Sequence, residues 1–140
     1  MTDMSKLFKG ASSFNQNLQR WVVSKVKDMT AMFQDASSYN ADAIAHPQQS
    51  TYHWDVSNVK IMRAMFQNAS SFDLYIGKWN VGKVEDMNSM FRGASSFNRN
   101  IRHWNVSNVT DMNSMFKGAS TFDRCLRSWV VSKVTNMKEM

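Results

Sequence analysis

Apolar side chains recur along this chain in columns, and the columns are set by tryptophan. Trp21, Trp54, Trp79, Trp104 and Trp129 are separated by 33, 25, 25 and 25 residues, a 25-residue period interrupted by one insertion of eight. Two positions after each tryptophan stand Val23, Val56, Val81, Val106 and Val131, and five after stand Val26, Val59, Val84, Val109 and Val134. Next come a methionine column (Met4, Met29, Met62, Met87, Met112, Met137) and a Met-Phe pair such as Met115-Phe116. An alanine column and an aromatic one (Phe14, Tyr39, Phe72, Phe97, Phe122) follow, and an aliphatic residue closes the unit three positions before the next tryptophan. Trp104 and Val106 alternate as on a strand with one buried face. Met112, Met115 and Phe116 are spaced i, i+3, i+4, the stripe of a helical turn. Asp3, Asp28, Asp86, Asp111 and Asn136 precede those stripes as candidate amino-terminal caps. Ile61 interrupts that column, so the third helix is expected to be the least well capped. Gly10, Asp35, Asn68, Gly93 and Gly118 lie seven positions further on, residue types that tolerate a left-handed stop.

One such unit cannot bury its own apolar side, so units must stack. The pattern predicts an α/β solenoid: a right-handed, leucine-rich-repeat-like pile of about five 25-residue units, with short parallel strands on one face and short helices on the other. Residues 1–140 then form a single repeat domain headed by the five tryptophans, with an insertion within 41–53. A stacked tryptophan buries roughly 200 Å², on the order of 5 kcal/mol before entropy is charged. Both ends cut the repeat at the same phase without a polar cap, which predicts a segment of a longer array or ends covered by neighbouring chains.

The units "WDVSNV" and "TDM..MF.GASSFN" resemble the methionine- and tryptophan-rich repeat of the BspA-like leucine-rich-repeat surface proteins. That resemblance covers nearly the whole chain. It implies an extracellular or cell-surface setting and a role in attachment or protein recognition, and it offers no catalytic residues to carry over. The chain departs from the pattern at "ADAIAHPQQSTYH", at Gly82, and at Val22 and Val130.

Composition adds little chemistry. The twelve methionines suggest a copper site, because thioethers suit Cu(I). Every methionine belongs to a core column, however, so packing accounts for them. His46, His53 and His103 fall in different units without ligand spacing, and the single cysteine, Cys125, excludes an internal disulfide. No nucleophile elbow or phosphate loop is present. We therefore expect no enzyme activity, no cofactor and no metal. Asn68, Asn105 and Asn108 head glycosylation-type triplets that arise from the repeat grammar itself. No run approaches ~18 apolar residues, so no membrane span is expected.

Recognition is left to the columns that escape the apolar rule. Around the tryptophans these hold Arg20, Tyr52, His53, Lys78, Arg102, His103 and Arg127, a mildly basic ribbon on the strand face. Its two histidines add charge below ~pH 6.5. Such a ribbon suits an acidic protein surface or an anionic glycan. Nucleic acid is disfavoured because Tyr52 is the one stacking aromatic there. The insertion, with His46, Pro47 and Gln48, is a second candidate contact. The expected function is a non-enzymatic module for protein interaction or surface adhesion. Its rival is a purely structural subunit of a larger assembly, with no ligand face.

Overall fold

The computed structural model describes residues 1–41 and 53–140. Its backbone is a stack of turns. Among the described residues there is no helix and no continuous strand, and sheet pairing is reduced to isolated bridges. These run parallel from rung to rung through Asp3, Asp28, Ile61, Asp86, Asp111 and Asn136. The expectation of a right-handed, leucine-rich-repeat-like α/β solenoid is thereby overturned: the structure contains neither the short strands nor the short helices that would repeat in it.

The hydrogen bonds give the reason. In the segment expected to be helical, the amides of Met29, Ala31, Phe33 and Asp35 donate to the carbonyls of Ile61, Arg63, Met65 and Gln67 on the next rung, at 2.8–2.9 Å. The amides of Met32, Gln34 and Ala36 close four-residue turns onto Met29, Ala31 and Phe33. A helix would spend every amide on the carbonyl four residues back. Here half of them are spent between rungs instead. Such alternation needs left-handed residues at regular intervals, and every rung up to that of Gly118 has two. Lys6, Ala31, Ala64, Ser89, Ser114 and Glu139 have φ of 54–59°, and Gly10, Asp35, Asn68, Gly93 and Gly118 have φ of 57–74°. The second set occupies the expected stop column, although it ends no helix. The first set is non-glycine throughout, each at a cost of about 1–2 kcal/mol that the inter-rung bonds must offset.

The supposed helix caps do a different task. The Asp3, Asp28, Asp86 and Asp111 carboxylates each accept the amide two residues on, at 2.7–2.9 Å, which folds a tight side-chain-closed turn. Ile61 has no such oxygen, and among the described residues the Arg63 amide finds no protein acceptor. Ile61→Asn should supply one and raise the unfolding free energy by about 0.5–1 kcal/mol, measured in urea. A loss of stability would show that this turn does not depend on its side-chain bond.

Aromatic side chains fill the stack in columns. Phe8, Phe33, Phe66, Phe91 and Phe116 lie with ring centroids 5.4–5.8 Å apart. Beside them run Phe14, Tyr39, Phe72, Phe97 and Phe122, each stacked on its rung partner at 3.8–4.2 Å. The Trp54, Trp104 and Trp129 indoles donate to the carbonyls of Leu18, Ile76 and Ile101 at 3.0–3.1 Å. These bonds satisfy the polar atom of an otherwise apolar side chain. At the two extremes of the stack the core surfaces: Leu7 is 45% exposed, Trp21 39% and Met137 42%.

Candidate functional site

Polar side chains join the rungs in ladders, and these ladders decide which surface groups are held in place. Along one edge, Asn15 accepts the amide of Asn40, Asn40 that of Asp73, Asp73 that of Asn98 and Asn98 that of Asp123, at 2.8–3.1 Å. Along another, serine hydroxyls reach the carbonyl of the preceding rung, as Ser37 does to Ser12 and Ser95 to Ser70. The recurring Ser and Asn of the sequence are thus committed to structure.

The residues of the expected ribbon are exposed wherever they are described: Arg20, His53, Lys78, Arg102, His103 and Arg127. Arg20, Lys78, Arg102, His103 and Arg127 project from turns, and none of the set from a strand face. Arg102, His103 and Arg127 are brought together with Cys125 and Ser128 around a recess of about 270 Å³. The Arg102 Nε donates to His103 Nε2 at 2.9 Å, and the Ser128 hydroxyl donates to the Arg102 carbonyl at 2.6 Å. Arg20 and Lys78 stand on other rungs and do not line that recess. Tyr52, His46, Pro47 and Gln48 lie outside the described residues.

A second basic surface was not singled out from the sequence. Lys60, Lys83, Glu85, Asn108, Thr110 and Lys133 line a groove of about 420 Å³. It lies where two columns run side by side. One alternates Lys25, Asn58, Lys83, Asn108, Lys133, and the other reads Lys27, Lys60, Glu85, Thr110, Thr135. In the first, the Asn58 side-chain amide donates to the Ser24 carbonyl at 2.8 Å, while its oxygen accepts the Lys83 ammonium at 2.7 Å. Asn108 repeats this between the Gly82 carbonyl and Lys133, both at 2.7 Å. In the second, Lys60 meets Glu85 at 3.3 Å. The sequence signal was present but split: one column changes residue type at every rung, so it does not stand out as basic.

Three exposed carboxylates, Asp3, Asp55 and Glu139, sit below their usual range. The Ser57 hydroxyl and then its amide lower Asp55, with help from the charge of Lys83. The hydrogen bond from Lys117 lowers Glu139, and the Ser5 amide lowers Asp3. A depressed carboxylate stabilises the fold above its ordinary pKa, and that contribution is lost as pH falls through the lowered value.

Among the described residues no group of three His, Cys, Asp or Glu side chains is placed to hold a metal ion, and no helix is long and apolar enough to cross a membrane. Stacked turns with ordered polar ladders outside and aromatic columns inside define a rung-built protein whose surface is its chemistry. The family model described as "Mycoplasma protein of unknown function, DUF285" matches residues 1–50 and 43–140, and the chain belongs to that family. No curated protein and no solved structure matches it.

Proposed function

We propose that the chain is a non-enzymatic binding module, acting in protein recognition or surface adhesion through its exposed basic residues. The observation that carries this reading is the convergence of Arg102, His103 and Arg127 on one recess, with both guanidinium groups exposed. Arg20 and Lys78 extend the same charge along other rungs, and an acidic protein surface is the partner this charge suits best. The resemblance of the repeat to BspA-like surface proteins supports an extracellular setting. Reversing Arg20, Lys78, Arg102 and Arg127 to Glu is expected to abolish attachment of protein-coated beads to an immobilised acidic protein. Attachment to an immobilised basic protein should rise instead. If the quadruple variant attaches as the parent does, the reading fails.

The rival reading, a structural subunit that bridges neighbours, is favoured by the apolar recess of about 450 Å³ lined by Met1, Met4, Leu7, Trp21 and Val22. It requires mass in sedimentation that grows with concentration and falls on Trp21→Ser.

A further inference from the structure

We propose that the groove of Lys60, Lys83, Asn108, Thr110 and Lys133 binds a linear acidic polysaccharide in which charged and neutral sugars alternate, one sugar to each rung. The inference is independent of the arginine recess, which lies on other columns.

It rests first on register. Neighbouring chains joined by backbone hydrogen bonds lie ~4.8 Å apart, close to the length of one sugar in an extended polysaccharide. The column beside the groove reads Lys25, Asn58, Lys83, Asn108, Lys133, so an ammonium recurs at every second rung and a neutral amide at each rung between. Secondly, these ammonium groups are positioned. Lys83 and Lys133 each give one proton to an asparagine oxygen at 2.7 Å, and each asparagine is itself anchored to a backbone carbonyl of the preceding rung. An ammonium has three donors, so two on each lysine remain for a carboxylate or sulfate. Thirdly, the balance of charge is one-sided: the two columns carry five lysines against one glutamate, Glu85, which is spent on Lys60.

The lining also argues against other polyanions. Among the described residues it includes no aromatic side chain on which bases could stack, and no apolar side chain to form a pocket for a peptide side chain. The column of Lys60, Glu85 and Thr110 offers a peptide no free amide either, because these already donate to Lys27, Lys60 and Glu85. Amide and hydroxyl groups from Asn108 and Thr110 are suited to sugar hydroxyls instead.

Calorimetry with an alternating uronate–N-acetylhexosamine oligosaccharide tests this, beside polygalacturonate, oligoglutamate and a single-stranded oligonucleotide of equal charge. The alternating glycan should bind most tightly, and more weakly as salt rises. Lys83→Gln with Lys133→Gln should weaken it about tenfold or more. Glu85→Gln should tighten it several-fold by freeing Lys60 and removing the carboxylate that lines the groove, a gain that misfolding cannot imitate. Equal or tighter binding of any of the other three polymers, no measurable binding of the alternating glycan, or no gain with Glu85→Gln would overturn the proposal. Bead attachment to acidic protein should be unaltered in Glu85→Gln, so failure here and failure of the arginine recess are read separately.

Discussion

Replacing Phe91 by alanine is expected to lower the unfolding free energy by about 3–5 kcal/mol. Few single changes in the molecule should cost as much. The ring is fully buried and is touched on every side: Phe66 at 5.8 Å below, Phe116 at 5.6 Å above, Phe97 at 4.1 Å within its own rung and Trp104 at 6.3 Å. Stacked neighbours fixed by two sets of inter-rung bonds cannot collapse into the space, so a cavity penalty adds to the lost transfer energy. Typical domains have only 5–15 kcal/mol to lose. Phe116→Ala is the informative control, because that ring is half-buried and its neighbours can relax toward solvent. Urea unfolding followed by tryptophan fluorescence should show a loss less than half as large. Equal losses would mean that the column is not stiffened by its position in the stack.

The second large effect is expected at Gly77. A methyl group there would stand 2.3 Å from the backbone carbonyl oxygen of Asn100 on the next rung. Backbone cannot turn aside as a side chain can, so two rungs must part. Gly77→Ala should cost about 2–3 kcal/mol. Gly10 provides the comparison: its φ is +74° and a methyl would meet nothing within 4 Å, so Gly10→Ala should cost only the left-handed penalty, about 1 kcal/mol. Thermal unfolding of the two variants separates crowding from backbone preference. The order reversed would show that rung separation at Gly77 is easy.

Much of the interior was legible in the sequence because the apolar columns are literal. The Val, Met, Phe and Ala residues named by counting from tryptophan are the ones buried in the middle rungs, for example Val81, Val84, Met87, Met90, Phe91 and Ala94. The abundance of methionine followed from the same columns. The backbone conformation was not legible. The spacing of Met112, Met115 and Phe116 is shared by a helix and by a run of turns that returns every third residue inward. What tells them apart is the left-handed residue between, and Ala31, Ala64 and Ser89 give no compositional sign of that geometry. Glycine and asparagine at the other left-handed position were readable for the opposite reason. At the surface, the arginines and histidines were visible as exceptions to the apolar rule. The lysine and asparagine column was missed because its regularity spans two periods, and its meaning lies in bonds from Asn58 and Asn108 to neighbouring rungs.

The alternation of amides has a mechanical consequence. Because the bonds between rungs lie along the axis of the stack and each rung is held chiefly by its neighbours, tension applied to the chain ends loads one interface at a time. The end rung peels while the rest keep their register. Each release of a regular rung frees one 25-residue period, ~85 Å of extended chain. A molecule tethered at both ends would therefore lengthen in steps under load, giving way by increments where a domain with a single interlocked core would let go all at once.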